Sequence, residues 1–356
     1  MSSTATSTPK TSRLPEGEAL FDRLRWRDRL SRSPLTPLII AREPCGRPYC
    51  GALRVGESRA AYPIVDGLVW ATPEGASRHA DWLAGLGLSP LAELDSIQPG
   101  ATVASFGFQW VWDANPRTEQ DLQWRAAARF GLSPQDFDGK VVLDAGCGAG
   151  DQSRWFVSQG AAVVSVDLSA AIRVAYHKLR QCPQWVGVHG DITALPFEDE
   201  SFDFVYCEGV IQHTRDSQIA VDELSRVLKR GGKIAATHYA IPTTWYSRLR
   251  WRFTVWQRRR LSQWDPYHLL AYTGLLAALA SLPALGALLR LSNIVVHNPR
   301  MPDFKSTWSN TYDSYGSQTY QRYLRPADFR RMFDLAADYA ALFETPREAV
   351  LCLTKK

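Results

Sequence analysis

Residues 141–150 read V-V-L-D-A-G-C-G-A-G, and residues 162–167 read A-V-V-S-V-D. The apolar run before Asp144 is typical of a strand that is buried on both faces. Three glycines follow at alternate positions: Gly146, Gly148 and Gly150. Because glycine has no side chain, the backbone can approach a ligand closely there, at the start of a predicted helix. The second apolar run ends at Asp167, whose carboxylate can accept hydrogen bonds from ribose hydroxyls. These segments predict a strand–helix–strand unit of a nucleotide-binding α/β sheet.

The spacing of the glycines argues against a dinucleotide as the ligand. A dinucleotide fingerprint, G-x-G-x-x-G, places helix N–H groups on a pyrophosphate. Here the third glycine comes one position early and Asp151 occupies its place, while Asp144 lies on the other side of the loop. Two carboxylates would repel a pyrophosphate, but they would attract a ligand with a cationic end.

Four segments along about a hundred residues resemble the motifs of one enzyme family. The block D-A-G-C-G-A-G at 144–150, followed by V-D-L-S at 166–169, resembles the first two motifs of class I S-adenosylmethionine-dependent methyltransferases, in their small-molecule or quinone-type branch. The sequence G-D-I…L-P-F…F-D at 190–203 is similar to the third motif. The sequence V-I-Q-H-T-R-D at 210–216 and the helix, glycine turn and strand predicted over 223–237 complete the match.

The resemblance implies a fold, a cofactor and a set of binding residues. The implied fold is α/β, with a doubly wound, seven-stranded Rossmann-like sheet, a small N-terminal β module and a helical insertion before the last two strands. The implied cofactor is S-adenosyl-L-methionine. Asp191 would receive the adenine amino group, and Ile192 would pack near the ring. The expected cofactor-binding residues are Asp144, Gly146, Gly148, Gly150, Asp167, Leu168, Asp191, Ile192 and Glu208. No metal ligand is expected.

The composition is that of an ordinary globular protein. The chain has 356 residues, of which 45% are hydrophobic and 22% charged, and its net charge is +5. At this length one hydrophobic core rarely suffices, so we expect a main domain with additions. The charge alone does not imply a nucleic-acid partner. Six scattered cysteines and a polar start without a hydrophobic segment predict a cytoplasmic protein with reduced thiols.

The N-terminal residues 1–40 are basic, and we expect them to be partly disordered. A basic amphipathic helix over Ala19–Leu30 is the alternative. Residues 76–132 are expected to be a helical linker, which carries F-G-F-Q-W-V-W at 106–112. That element is similar to one found ahead of the first motif in related methyltransferases, where it would cover the cofactor or the acceptor. Aromatic packing that anchors the N-terminal module explains the element equally well.

Residues 41–75 resemble a zinc-ribbon-like module that accompanies several methyltransferases, through the sequence Y-P-I-V-D-G at 62–67. A structural zinc ion needs four cysteine or histidine ligands, usually as two C-x-x-C pairs. Only Cys45 and Cys50 are present, with four residues between them. We therefore predict a small β module without metal.

A helical insertion is predicted over 241–337, between the two parts of the cofactor domain, 133–240 and 338–356. Within it, Leu269–Leu289 carries no charge and is about as long as a membrane span. Pro283 would divide this segment into two short helices. A single span would also separate the closing strands from their own sheet, so we expect no transmembrane helix.

Two interpretations of the insertion stay open. One is a lid whose apolar face packs on the sheet domain and encloses a hydrophobic or bulky acceptor. The other is a helix pair that contacts anionic lipid peripherally through 245–290. Arginines alternate there with aromatic residues: Arg248, Arg250, Arg252, Arg258, Arg259 and Arg260 with Trp251, Phe253 and Trp256. Farther on, the polar stretch 310–320 is either an acceptor contact or a plain loop.

The expected catalytic residues are His213, His238 and Tyr239. Transfer of an activated methyl group needs alignment of the reacting atoms, and an oxygen or carbon acceptor must also lose a proton. Histidine is the usual base near neutral pH. His213 follows the fourth predicted strand, and His238 with Tyr239 ends the fifth, at the edge where α/β sheets bind ligands. Geometry favours His238, and the family position favours His213.

The leading hypothesis is a methyltransferase that acts on an oxygen or carbon of a small molecule, such as a metabolite, a saccharide or a lipid-like intermediate. An RNA methyltransferase is the alternative that the zinc-ribbon-like start and the basic insertion suggest. However, C-E-G-V at 207–210 replaces the N-P-P-type motif of amino-nitrogen methylases, which disfavours a nucleic-acid partner. A membrane-associated methyltransferase of a lipid or quinone and a cofactor-binding scaffold are further alternatives. The sequence identifies neither the acceptor nor the oligomeric state.

Overall fold

A mixed β-sheet runs through the described part of the chain. The computed structural model describes residues 19–29, 31–91, 103–104, 107–109, 112, 117–297, 303–316, 320–345 and 349–356. The strands are β1 (Leu35–Arg42), β2 (Pro48–Val55), β3 (Ala60–Val65), β4 (Leu68–Trp70), β5 (Ser89–Pro90), β6 (Val141–Ala145), β7 (Ala162–Asp167), β8 (Trp185–His189), β9 (Phe202–Cys207), β10 (Leu228–His238), β11 (Tyr339–Glu344) and β12 (Ala349–Lys355). Within the described residues they form a twelve-stranded sheet in the order β1-β2-β3-β4-β8-β7-β6-β9-β10-β12-β11, with β5 beside β3.

The centre of the sheet is parallel. Strands β8, β7, β6, β9 and β10 run in one direction, whereas β12 is antiparallel to both β10 and β11. The chain goes from β6 to one side of the sheet and resumes on the other side at β9. Such a reversal opens a crevice at the carboxyl ends of the strands. The prediction of an α/β fold with a mixed central sheet is confirmed.

Helices cover both faces of this sheet and also build a separate helical insertion. They are α1 (Leu20–Arg23), α2 (Pro73–Arg78), α3 (Ala80–Gly85), α4 (Glu119–Trp124), α5 (Asp151–Ser158), α6 (Ala171–Leu179), α7 (Ser217–Val227), α8 (Trp245–Leu261), α9 (Pro266–Leu279), α10 (Pro283–Leu291), α11 (Phe304–Tyr315) and α12 (Pro326–Ala336). A π-helical turn, Arg125–Arg129, continues α4. Helices α5 and α6 bury their apolar sides in one core cluster, and α7 and α12 bury theirs in another.

The N-terminal strands extend the central sheet. Strand β4 pairs in parallel with β8, from Leu68 opposite Gly187 to Trp70 opposite His189. The prediction of a seven-stranded sheet beside a separate β module at 41–75 therefore differs from the structure, in which β1 to β5 belong to the same sheet. Cys45 and Cys50 are free thiols. Among the described residues, no three His, Cys, Asp or Glu side chains are grouped so that they could hold a metal ion.

The described residues from Ala19 onward pack against the main domain, and the expectation of partial disorder within 1–40 stays a prediction. Instead of a helix over Ala19–Leu30, a single turn, α1, is followed by extended backbone. Trp26 is buried between the rings of Phe21 and Phe197, with centroids 5.0 and 5.1 Å away. Burial of these aromatic side chains fixes the segment. Residues 1–18 and 30 lie outside the described residues.

The predicted insertion is helical and has a core of its own. Helices α8 to α11 bury a cluster of large side chains: Leu261, Leu269, Leu276, Leu289, Tyr312 and Tyr315. Pro283 is the first residue of α10, so the uncharged segment is divided into α9 and α10 as predicted. No helix among the described residues is both long and apolar enough to cross a membrane.

Candidate cofactor and acceptor sites

The glycine loop connects β6 to α5 through three residues with positive φ. The φ angles of Gly146, Gly148 and Gly150 are 80°, 53° and 77°. Space is also restricted at two of these positions. A Cβ atom at residue 146 would lie 2.2 Å from Cγ2 of Val210, and one at residue 150 would lie 2.7 Å from Cβ of Ala175. Both the backbone conformation and the close packing therefore require glycine there.

We expect the substitution Gly146→Ala to lower the free energy of unfolding by about 2–4 kcal/mol, because a left-handed backbone strain and an overpacked contact add together. Urea denaturation measures this change. Gly87→Ala is the matched control, because Gly87 has a similar φ of 72° and a Cβ atom added there would meet no atom within 4 Å. If both variants lost the same free energy of unfolding, the contact with Val210 would contribute nothing to the destabilisation.

Asp167 closes the glycine loop from the end of β7. Its carboxylate accepts a hydrogen bond from the backbone N–H of Gly148 at 2.8 Å. It also accepts from the backbone N–H and the hydroxyl of Ser169, at 2.8 and 2.7 Å. Burial raises the pKa of Asp167 even though these hydrogen bonds oppose the shift. The carboxylate that the sequence places near a ribose therefore also holds the loop in shape.

Asp144 is a buried acid directly before the loop. Its carboxylate accepts a hydrogen bond from the hydroxyl of Ser153, which also contacts the hydroxyl of Ser165 at 2.7 Å. Burial raises the pKa of Asp144 to about 7, and the negative charges of Asp167 and Glu208 add to this effect. At neutral pH this group is therefore poised between its charged and neutral forms.

Glu208, which follows β9, is a buried acid whose pKa is shifted in the direction opposite to that of Asp144. Its carboxylate forms ion pairs with Arg125, at 3.1 Å, and with Arg129, and it accepts a hydrogen bond from the hydroxyl of Tyr206 at 2.6 Å. Burial acts to raise the pKa of Glu208, but the nearby arginines outweigh it and hold the pKa below its usual value. Glu208 is therefore ionised at neutral pH. No sequence motif points to the two arginines.

These elements enclose a first pocket at the carboxyl ends of β6, β7, β8 and β9. It is lined by eight of the nine predicted cofactor residues: Asp144, Gly146, Gly148, Asp167, Leu168, Asp191, Ile192 and Glu208. Gly150 is the exception, because it packs against Ala175 of α6 and does not line the pocket. The carboxylate of Asp191 accepts hydrogen bonds from the backbone N–H and the hydroxyl of Thr193, both at 2.8 Å.

Two polar residues that the sequence did not single out also line the first pocket. Arg117 brings a guanidinium group, and its backbone N–H donates to Asp151 at 3.3 Å. Gln152 carries amide nitrogen and oxygen atoms that are buried without a hydrogen-bond partner among the described residues. Arg117 comes from the linker segment 76–132, and no sequence motif there indicates its role. The pocket thus has acids along one part of its wall and a cation at Arg117.

A second pocket lies between the end of β10 and the inner sides of α8 and α11. Its wall includes His238, Tyr239, Arg250, Trp251, Arg258 and Asp313. Burial raises the pKa of Asp313, and the positive charges of Arg258 and Arg117 oppose that shift. Asp313 belongs to the polar stretch that starts at residue 310, so this part of the stretch is helical and faces a cavity.

Two pairs of contacting side chains lie in the wall between the pockets. The ring of His213, which lines the first pocket, meets the ring of Tyr239, which lines the second, edge to face with centroids 5.4 Å apart. Likewise, Glu208 of the first pocket is paired with Arg129 of the second. The pockets are therefore neighbours that share a wall of side chains.

The two candidate histidines lie on different sides of this wall. Nδ1 of His213 is 3.0 Å from the carbonyl oxygen of Tyr320, and burial lowers the pKa of His213 to about 4. Nδ1 of His238 is 3.2 Å from the carbonyl oxygen of Tyr239, and burial lowers the pKa of His238 as well. Both rings are neutral at pH 7. His238, which geometry favoured at the sequence level, lines only the second pocket, where Phe329 packs on its ring.

The described part of the F-G-F-Q-W-V-W element contacts the insertion. The ring of Phe108 lies 5.1 Å from that of Tyr267, and the ring of Trp112 lies 4.7 Å from that of Trp308. The element therefore holds the insertion helices, a role that neither sequence interpretation included. Residues 106, 110 and 111 lie outside the described residues.

Comparison with known proteins places a family match on the segment that builds the first pocket. Residues 143–236, about a quarter of the chain, match the family model of a methyltransferase domain. The chain is similar to a demethylmenaquinone methyltransferase of Clavibacter sepedonicus, at 34% identity over 41% of this chain and 61% of the relative. It is also similar to a malonyl-[acyl-carrier protein] O-methyltransferase of Enterobacter lignolyticus, at 36% identity over 31% of this chain and 43% of the relative. The chain thus spans less than two thirds of the length of either relative.

Among solved structures, phosphoethanolamine N-methyltransferase 2 of Haemonchus contortus, in complex with S-adenosyl-L-methionine, is 26% identical to this chain. The match covers 41% of this chain and 39% of that one. Its TM-score of 0.30 is too low for a comparison of the folds.

The residues of the first pocket fit this cofactor by their charges. A sulfonium cation would be attracted by the carboxylate of Asp144, and hydroxyl groups of a ribose could donate to Asp167. The guanidinium of Arg117 suits the carboxylate of an amino acid. Residues 143–236 therefore carry a methyltransferase domain, and its cofactor is S-adenosyl-L-methionine.

Proposed function

We propose that the protein transfers a methyl group from S-adenosylmethionine in the first pocket to an oxygen or carbon of a small-molecule acceptor in the second. The contact between His213 and Tyr239 is the observation that carries this proposal, because it indicates that a single layer of side chains lies between the two pockets. In-line transfer requires the donor carbon and the nucleophile to be neighbours along one axis. A cavity that shares a wall with the cofactor pocket supports that arrangement.

The cofactor supplies a methyl group that is already activated, so the protein has to align the acceptor and remove its proton. The wall between the pockets offers His213 and Tyr239, and His238 lies next along β10. We assign proton removal to His213, because it is the candidate histidine that lines the cofactor pocket. Its low pKa leaves it in the neutral, proton-accepting form at pH 7, although the same shift makes it a weaker base than an exposed histidine. Tyr239 and His238 would then orient the acceptor from the side of the second pocket.

The acceptor class follows from the lining of the second pocket. Arg250 and Arg258 provide cations, while Trp251 and Tyr323 provide aromatic surface. Such a wall suits a molecule with an aromatic or apolar body and oxygen substituents. The two relatives are named for a quinone and for a malonyl group on a carrier protein, and neither name refers to nucleic acid. We therefore keep RNA only as the alternative acceptor.

The direct test supplies the purified protein with methyl-labelled S-adenosylmethionine and a cell extract, and then separates the extract into RNA, protein, lipid and small-molecule fractions. We expect the label in the small-molecule or the lipid fraction. Label that is confined to RNA would replace this proposal with the alternative. Absence of label from all fractions, with intact cofactor binding, would favour a scaffold without catalysis.

We expect His213→Ala to slow methyl transfer on the order of a hundredfold, because general bases contribute that much or more, while the affinity for S-adenosylmethionine stays within a few fold. Single-turnover transfer rates and calorimetry separate the two quantities. His177→Ala is the matched control, because His177 is an exposed histidine on α6 outside both pockets. An unchanged transfer rate in His213→Ala would move the base to His238.

A further inference from the structure

Helix α8 exposes a stripe of aromatic and apolar side chains. Tyr246, Leu249, Phe253 and Trp256 follow one another at spacings of three, four and three residues, so they lie on one side of the helix. Their exposed fractions are 47%, 60%, 40% and 55%. We call these four residues the outer stripe. The rings of Phe253 and Trp256 stack at a centroid distance of 6.0 Å, which joins them into one aromatic surface.

The inner side of α8 carries half-buried arginines beside its apolar residues Trp251 and Leu261. Arg250 and Arg258 turn inward, where they bond to the carbonyl oxygens of Arg290 and Ser314, and both line the second pocket. Thr254, midway between them, is buried. A helix on the surface of a soluble protein normally turns its apolar face to the core. Here the core-facing side carries arginines that bond to the backbone, and the outer stripe faces outward.

Cations surround the outer stripe. Arg248, Arg252, Arg259 and Arg260 are exposed on α8, and the guanidinium of Arg260 lies 5.8 Å from the ring centroid of Trp256. Residues 241–297 contain seven arginines and one acidic residue, Asp265. Their formal charge of +6 exceeds the +5 of the whole chain. The positive charge of the protein is therefore concentrated on the insertion.

The apolar surface continues onto α10. The hydroxyl of Tyr246 lies 3.4 Å from the carbonyl oxygen of Leu291, which connects the outer stripe to the end of that helix. Leu288 and Leu291 are more than half exposed there. An exposed surface of this kind, with aromatic, leucine and arginine side chains, is typical of a site that contacts a membrane or another molecule.

We propose that the outer stripe and its flanking arginines bind the surface of an anionic lipid membrane. Aromatic rings and leucines would enter the boundary between headgroups and acyl chains, while the arginines pair with lipid phosphates. A second copy of this chain suits the surface less well, because a two-fold contact would place arginines against arginines. RNA would pair with the arginines but would leave Leu249, Leu288 and Leu291 in water.

The proposal stands on the surface of the insertion alone, so it does not depend on the proposed methyl transfer. The outer stripe does not line the first pocket. Loss of membrane binding and loss of cofactor binding can therefore be measured separately.

The test is flotation of the full chain with two kinds of vesicle, phosphatidylcholine alone and phosphatidylcholine with phosphatidylglycerol. We expect binding to the anionic vesicles only, and weaker binding at high salt. Phe253→Ser with Trp256→Ser should weaken binding at least tenfold, and Arg252→Glu with Arg259→Glu should do the same. Circular dichroism and calorimetry with S-adenosylmethionine verify that each variant is folded.

Matched controls come from α12 and β11, away from the outer stripe. Leu335→Ser and Leu342→Ser remove similarly exposed apolar side chains, and Arg331→Glu reverses an exposed charge, so these variants should bind as the parent does. Failure of the parent to bind anionic vesicles at low salt would overturn the proposal, as would equal losses in the controls. If the parent bound no vesicles but shifted RNA in gels, and the stripe variants abolished that shift, the surface would be assigned to RNA. If it bound no vesicles but self-associated in light scattering, and the stripe variants abolished the association, the surface would be assigned to a second copy.

Discussion

Replacing Asp167 by alanine is expected to lower the affinity for S-adenosylmethionine about a hundredfold, which corresponds to about 3 kcal/mol. The carboxylate holds the backbone N–H groups of Gly148 and Ser169, so its removal releases the loop that lines the first pocket. Hydrogen bonds to an ionised group contribute about 1.5–3 kcal/mol each, and a ribose contact would be lost as well. Isothermal titration calorimetry measures the affinity directly.

Asp303→Ala is the matched control for this variant. The carboxylate of Asp303 also accepts a hydrogen bond from a backbone N–H, that of Ser306, but it lies at the start of α11 and does not line the first pocket. Its loss should leave the affinity unchanged. If Asp167→Ala bound the cofactor as tightly as the parent, the first pocket would not be the cofactor site.

Asp144→Asn is expected to stabilise the fold at pH 8 and to weaken cofactor binding at the same time. Burial raises the pKa of Asp144 to about 7, so the folded protein disfavours the ionised carboxylate. The contribution of Asp144 to stability is therefore greatest below its unfolded pKa of about 4, and it is lost as the pH rises from there to about 7. Asparagine removes this cost, and we expect a gain on the order of a few kcal/mol at pH 8 and little change at pH 4.

A ligand comparison isolates the role of the charge of Asp144. A sulfonium cation favours the ionised carboxylate, so the affinity of the parent for S-adenosylmethionine should fall by up to about tenfold per pH unit below pH 7. S-adenosylhomocysteine, a neutral thioether of nearly the same shape, should show no such dependence. Asp144→Asn should remove the difference between the two ligands. Parallel pH profiles in the parent would contradict an electrostatic role for Asp144.

The glycine loop was predictable because its requirements are local. The alternating glycines Gly146, Gly148 and Gly150 and the acid Asp167 at the end of the next strand lie within 22 residues of one another. The arginines that neutralise Glu208 were not predictable. Arg125 and Arg129 come from a helix about 80 residues earlier, and nothing in the sequence of that helix specifies its partner. An ion pair across such a distance depends on the packing of the whole domain.

The alternative prediction of a basic helix over Ala19–Leu30 was wrong for a similar reason. The composition of this segment is compatible with a helix, but the burial of Trp26 against Phe197 favours extended backbone there. For the insertion, the position of Pro283 sufficed to divide α9 from α10. The outward direction of the outer stripe could not be read from the sequence, because aromatic residues and arginines alternate on both sides of α8.

The pairing of β4 with β8 has a consequence for how the protein can be divided. Without β1 to β4, β8 would be an edge strand that offers unpaired N–H and C=O groups to other molecules, and such edges promote aggregation. Strands β1 to β4 thus cover this edge of the cofactor-binding sheet. A fragment that begins near residue 133 would contain every motif of the first pocket and would still lack the cap that keeps its sheet from associating.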